Sequence, residues 1–192
     1  SGGNKGKFDK ISYPEKAANH DFNAPAKAIA FTENNNLYIS TTSGKVPVFE
    51  SDDKNIVSGQ AIHRYEFGIA KGTFWSPKGN YLVFYQKDET KVADYPLLDI
   101  STRTGSLNSI KYPMAGENSE HGSVGVYDVK NNKTIFLKTD KAYDDYVSNV
   151  TWDPTEEFVY IIELNRGQDH FWFNKYNAKT GEFVKTLFEE QH

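Results

Sequence analysis

An internal repeat constrains the fold of this chain more than any other feature. An aromatic side chain at Phe22, Trp75 and Trp152 is followed nine residues later by the apolar end of a strand-like run, at Phe31, Phe84 and Ile161. Between them lie a turn (24–27, 77–80 and 154–157) and a segment such as Tyr81-Leu82-Val83-Phe84-Tyr85 or Phe158-Val159-Tyr160-Ile161-Ile162. Each unit continues with a third run (37–40, 124–127, 171–176), a tight polar turn and a fourth run (46–49, 134–137, 183–187). Short Val-, Ile-, Tyr- and Phe-rich runs bounded by Gly, Pro, Asn and Asp signal strands. A four-stranded unit recurring at roughly 40–45 residues is the signature of a propeller blade.

The expected fold is therefore all-β, a partial β-propeller of about three four-stranded antiparallel blades. A β-sandwich of roughly ten strands is the alternative. Residues 18–50 form the expected first blade, 51–72 a segment between blades, 73–140 a second blade with an insertion from about Gln86 to Gly122, and 141–190 a third. Trp75 and Trp152 are expected in blade cores. Helical periodicity is nearly absent, and only Pro14 to Asn23 is expected to form a helical turn or two. The smallest closed propellers need about four blades, so three leave an open arc. Its strand edges are expected to pair with other chains, giving self-association or a homodimer. Ser1-Gly2-Gly3 reads as a cloning scar ahead of an N-terminal extension to residue 17, so the chain is expected to be a piece of a longer or processed product.

Composition narrows the chemistry. A net charge of −4 without a Lys/Arg cluster argues against nucleic acid as the partner. There is no cysteine, so neither disulfides nor thiolate metal sites arise. The five histidines lack metal-ligand spacing, and neither a nucleophile elbow nor a phosphate-cradling glycine loop occurs. No cofactor or metal is expected. Asp52-Asp53 and Asp144-Asp145 read as solvated residues beside turns. On its residues alone the chain is a binding or scaffolding part without its own catalytic machinery.

One stretch stands apart: His63-Arg64-Tyr65-Glu66-Phe67-Gly68, between two blades and without a strand pattern. It reads either as an exposed linker with a surface ion pair worth under about 1 kcal/mol, or as a recognition segment centred on Glu66. Tyr112-Pro113-Met114-Ala115-Gly116 reads as a turn before a strand.

Several runs together closely resemble the N-terminal β-propeller of dipeptidyl peptidase IV. They are Phe74-Trp75-Ser76-Pro77-Lys78-Gly79-Asn80, Asp94-Tyr95-Pro96, Tyr112-Pro113-Met114-Ala115-Gly116, Val124-Gly125-Val126-Tyr127-Asp128, Val150-Thr151-Trp152-Asp153-Pro154 and Glu163-Leu164-Asn165-Arg166. The likeness covers roughly residues 18–190 and is nearest to the Bacteroidetes-like bacterial branch. It implies an eight-bladed propeller in the parent protein and a following α/β-hydrolase domain with a Ser-Asp-His triad. It also implies removal of N-terminal dipeptides with Pro or Ala second, in the periplasm, outside the cell or at the cell envelope. Family propellers carry a glutamate pair just before a Trp-Ser-Pro blade start, where carboxylates bind the substrate's α-ammonium group. The resemblance places Glu66 within about one residue of that pair. Its neighbour Tyr65 is no carboxylate, so one acid stands where many members have two. Arg64 is not matched to the family's arginine contact with the substrate carbonyl, which belongs to an earlier blade. The reading from another class is a non-catalytic propeller used as a protein-interaction scaffold.

Overall fold

Fifteen strands in four antiparallel sheets account for the computed structural model, which describes residues 10–139, 142 and 144–192. Blade A is the meander β1 (Ala18–Asn23), β2 (Ala28–Glu33), β3 (Asn36–Thr41) and β4 (Gly44–Phe49). Blade B is built on β7 (Tyr81–Asp88), with β10 (His121–Asp128) and β11 (Lys133–Phe136) on one side. On its other side β7 pairs first with β6 (Thr73–Trp75) and then with β5 (Ile56–Ser58), two short strands sharing one edge position. Blade C is the meander β12 (Tyr146–Trp152), β13 (Phe158–Leu164), β14 (His170–Asn177) and β15 (Phe183–Gln191). A separate hairpin, β8 (Asp94–Asp99) with β9 (Ser106–Lys111), stands out from blade B.

Side-chain alternation along β7 explains the packing. Successive residues of a strand face opposite sides of a sheet, and blade B is covered on both. Leu82 and Phe84 pack with Ala28, Ala30, Leu37 and Ile39 of blade A. Val83 and Tyr85 pack with Val159, Ile161 and Tyr176 of blade C. This two-sided cover leaves 82–85 buried in succession, whereas burial alternates along β13, covered on one face. Gly125, opposite Phe84 in the ladder, leaves room for that ring: a Cβ there would lie 2.3 Å from it.

The repeated aromatics join blades rather than fill blade cores. Trp75 is half-buried and donates its indole N–H to the Asp21 carbonyl of blade A at 2.9 Å. Trp152 does the same to the Phe74 carbonyl of blade B at 2.9 Å and stacks on Tyr81. In both cases the acceptor is the residue just before the preceding blade's repeat aromatic. Phe22, lacking an indole donor, is 61% exposed. Lower down, buried Glu156 of blade C accepts from the Lys78 backbone N–H and the Asn80 side-chain amide of blade B. Burial alone would raise the Glu156 carboxyl, but hydrogen bonds from Ser76, Asn80 and Lys78 outweigh it and hold the group below its ordinary range.

Four expectations need correction. The helical turn at Pro14–Asn23 is instead a single turn closed by the Ala17 N–H on the Pro14 carbonyl, followed by β1. Burial of Trp75 and Trp152 within blades gives way to the junctions above. The region from Gln86 to Gly122 is not all insertion, because β7 runs to Asp88 and β10 starts at His121, one long ladder from which the β8–β9 hairpin departs. Strand β5 lies inside the stretch read as a connection. The 140/141 boundary and residues 1–9 lie outside the described residues. Every blade has edge strands whether or not the ring closes, so an open arc exposes sheet faces as well. The outward face of blade C carries half-buried Phe158, Tyr160 and Phe173, with the Lys175 ammonium 3.5 Å from the Phe158 ring centroid. Among the described residues no helix is long and apolar enough to cross a membrane.

Candidate functional site

Residues 62–69 link β5 to β6 and form a left-handed turn. His63, Arg64 and Tyr65 have φ of 50°, 54° and 63°, and Phe67 and Gly68 follow with 55° and 73°. Left-handed backbone costs an L-residue roughly 1–2 kcal/mol, and three in succession without glycine persist only if the surroundings hold them. Buried Ile62 and Ile69 fix the two ends in the core between blades B and C. Inside the turn, the Tyr65 N–H donates to the Ile62 carbonyl, the Glu66 N–H to the His63 carbonyl and the Ile69 N–H to the Glu66 carbonyl.

The buried imidazole of His63 is the peg of the turn. Its backbone N–H donates to Glu120 Oε1 at 2.5 Å, and its Nδ1 lies 3.4 Å from the same oxygen. Nε2 accepts the Val147 N–H of blade C at 3.2 Å. A ring nitrogen that accepts carries no proton, so the proton sits on Nδ1 and points toward Glu120. Tyr146 meets the ring edge-on at a centroid distance of 5.0 Å, and Phe67 packs on Tyr146. For the Glu120 carboxyl, burial pushes upward. The His63 hydrogen bonds, with Lys87 nearby, push further the other way and keep it ionised below the ordinary carboxylate range.

What the turn displays is Glu66. The side chain is exposed and lines a cleft of about 580 Å³ between blades B and C. Residues 113–116 line the same cleft, so the Pro-Met-Ala-Gly part of the Tyr-Pro-Met-Ala-Gly element is a wall of the site as well as a turn. Arg64 turns aside and stacks on Tyr112, its guanidinium carbon 4.2 Å from the ring centroid. Arg166, from the loop between β13 and β14, reaches the Tyr146 hydroxyl. Lys87 is held by Glu89 at 2.8 Å and Lys111 by Asp94 at 3.2 Å. Among the described residues no side chain pairs with the Glu66 carboxylate. It is a free anion on a cleft wall, fitted to a small cation or an ammonium group. The Arg64–Glu66 surface pair of the linker reading does not form.

Sequence reasoning found Glu66 but not His63 and Glu120, the pair that holds its turn. They are 57 residues apart, and β7 ties them into one sheet by pairing with β10 on one side and β5 on the other, His121 and Ile56 both facing Asp88. No local signal in Ser119-Glu120-His121 marks that contact. Asp145, read as solvated, also accepts the Arg166 backbone N–H at 2.9 Å, an exposed bond in the loop beside the cleft. A second cleft, of about 690 Å³, lies between the lower turns of blades B and C, but its Glu156 carboxylate is already bonded to blade B. Among the described residues no three His, Cys, Asp or Glu side chains group to hold a metal ion.

Comparison with known proteins agrees with this architecture. In Bacteroides ovatus, a putative dipeptidyl aminopeptidase IV of known structure is 45% identical and superposes with a TM-score of 0.86 over 93% of this chain and 25% of that one. Porphyromonas gingivalis dipeptidyl peptidase 4, 22% identical, shares the fold with a TM-score of 0.84 over 94% of this chain and 26% of its own. A probable dipeptidyl-aminopeptidase B of Penicillium rubens is 27% identical over 181 residues, 83% of this chain and 20% of the relative. The chain thus spans between a fifth and about a quarter of the length of these relatives. The family described as the dipeptidyl peptidase IV (DPP IV) N-terminal region matches residues 3–192. Sheet order, the Trp-Ser-Pro blade start and the full-length match agree: the chain belongs to the dipeptidyl peptidase IV N-terminal region family.

Proposed function

We propose that this chain is the substrate-facing arc of the propeller of a serine exopeptidase that removes N-terminal dipeptides with Pro or Ala second. The observation that carries the reading is Glu66, an unpaired carboxylate presented into a cleft by a strained turn whose backbone is fixed from both adjoining blades. A carboxylate so placed accepts a charge-assisted hydrogen bond from a substrate's α-ammonium group. Anchoring the amine there sets how far the peptide reaches, so the second peptide bond is the one delivered to the nucleophile. That nucleophile belongs to an α/β-hydrolase domain of the parent protein, with the propeller limiting access to the chamber between them. The periplasm or cell envelope suits a peptidase acting on peptides from outside. The test is hydrolysis by the full-length protein of a Gly-Pro reporter with a free amine and of its N-acetylated form. Cleavage of the free-amine reporter alone is expected. Equal cleavage of both, or cleavage within longer blocked peptides, sinks the reading.

A homodimer belongs to the same proposal, with the β8–β9 hairpin as its contact. A two-stranded hairpin is marginal on its own, yet this one exposes Leu98, Ile100 and Leu107 at 65%, 81% and 72%. Apolar surface of that kind marks an interaction site. Leu98 and Leu107 are cross-strand partners, so placing lysine at both sets like charges opposite each other in the patch. In sedimentation at micromolar concentration, the wild-type full-length protein is expected as a dimer and the Leu98→Lys/Leu107→Lys variant as a monomer. A monomeric wild type removes the dimer from the proposal.

A further inference from the structure

We infer that Glu120 is a positioning residue: by clamping His63 it holds the left-handed turn that aims Glu66 into the cleft. The inference rests on the proposed amine-anchoring role of Glu66. The turn is strained at three successive non-glycine residues, so it relaxes unless something outside it holds it. Besides the packing of Ile62, Ile69 and Phe67, two hydrogen bonds from outside do so, both through His63. Glu120, the residue before β10, takes its backbone N–H at 2.5 Å and faces its Nδ1. Val147, in β12, gives its N–H to Nε2. The pegs come from different blades, so the turn is fixed to the junction and not to one sheet.

Glu120 touches no residue assigned to substrate. It acts through the backbone of His63, whose carbonyl in turn accepts the Glu66 N–H at 3.0 Å. That is a continuous path of hydrogen bonds from the Glu120 carboxylate to the main chain of Glu66. The His63 hydrogen bonds, helped by Lys87 3.9 Å from Glu120 Oε2, outweigh burial and keep the carboxylate in the charged form that accepts most strongly. Gly122 completes the socket: a Cβ there would lie 2.9 Å from His63 Nε2, so any larger residue pushes the imidazole out.

The experiment uses the full-length protein carrying Glu120→Ala, Glu120→Gln, Gly122→Ala, Glu66→Gln and the Glu66→Gln/Glu120→Ala pair. It has two readouts: hydrogen exchange of a peptide covering 62–70, and kcat/KM on a Gly-Pro reporter and on its des-amino analogue. Glu120→Ala is expected to speed exchange by about tenfold or more. It should lower kcat/KM on the free-amine reporter by about tenfold to a hundredfold, with the des-amino analogue unchanged. Glu120→Gln keeps an oxygen for the His63 N–H and is expected to restore most of both. Gly122→Ala reaches the same result from the other side of the imidazole. The double variant is expected to be no worse than Glu66→Gln, because two residues acting through one contact are not additive. Unchanged exchange in Glu120→Ala overturns the positioning role alone, as do equal losses on both reporters or losses that multiply. A Glu66→Gln enzyme that keeps its free-amine preference overturns the anchor, and the positioning role with it.

Discussion

Replacing Trp152 by alanine is expected to lower the stability of this chain by about 3–5 kcal/mol, as large-to-small changes of a packed aromatic do. The indole sits where blade C meets blade B. Its ring stacks on Tyr81 at 5.9 Å between centroids, it packs against the core shared by Val83, Tyr85, Val159 and Ile161, and its N–H satisfies the Phe74 carbonyl. Alanine opens a cavity at the junction and leaves that carbonyl without its partner. Trp152→Phe keeps most of the packing and loses the hydrogen bond, so a cost of about 1–2 kcal/mol is expected. Phe22 holds the same place in the repeat, yet it is mostly exposed. Phe22→Ala is therefore expected within about 0.5 kcal/mol of wild type. Urea midpoints at unchanged slope measure all three. Equal losses at positions 22 and 152 would show that the aromatics stabilise blades from within and that the junction account is wrong.

That contrast also shows what the sequence could carry. The nine-residue offset from Phe22, Trp75 and Trp152 to Phe31, Phe84 and Ile161 marked the repeat of the fold, because each blade must supply the same inner strand and turn. It could not say which neighbour each ring touches, since that depends on how blades are rotated against one another. The runs 81–85 and 158–162 were legible as strands. Both are unbroken apolar runs, so the covering of blade B on both faces and of blade C on one shows only in their burial, continuous in β7 and alternating in β13. Strand β1 was missed because Ala-Asn-His-Asp-Phe-Asn is polar and its pairing slips between Ala18 and Asp21, which breaks the alternation. Blade C has the same slip between Ser148 and Thr151, and Asn19 and Asn149, three residues before the repeat aromatic, both have positive φ. Strand β5 has three residues, too few for any pattern.

The site was legible in one residue and opaque in its support. Glu66 stood out through the family resemblance, which ties a carboxylate to the segment before a Trp-Ser-Pro start. The backbone that presents it was invisible, because a single His is a weak signal and neither Arg64 nor Tyr65 favours left-handed φ. Glycine, the usual mark of such a turn, comes only at Gly68, after the strain. Local propensity loses here to tertiary contacts from Glu120 and Val147, and conflicts of that kind concentrate at functional sites.

If the full-length protein is the proposed exopeptidase, Glu66→Gln is expected to reduce its kcat/KM on a free-amine Gly-Pro reporter by about 10²–10³-fold, the equivalent of about 2.7–4 kcal/mol. Glutamine keeps the shape and one acceptor oxygen but loses the charge, so the loss measures the ion pair rather than the packing. The size follows from truncating a hydrogen-bonded charge pair, which costs about 2–5 kcal/mol when water is excluded. In an open arc the same pair is screened, and its value falls toward the 0–1 kcal/mol or so of surface pairs. The 192-residue chain alone is accordingly expected to bind no dipeptide measurably. If the anchor only holds substrate, the loss appears in KM; if it also sets the reach of the peptide, kcat falls too. The second effect is expected, because fixing the amine fixes which bond meets the nucleophile. Tyr65 sharpens the test: it is 71% exposed on the same turn and lines the same cleft. Tyr65→Glu puts a second carboxylate beside the first and is expected to lower KM for free-amine substrates several-fold, leaving des-amino analogues unchanged. Glu66→Gln activity near wild type would remove this residue from the mechanism. A Tyr65→Glu enzyme that tightens on both substrates would show that the cleft reads something other than the amine.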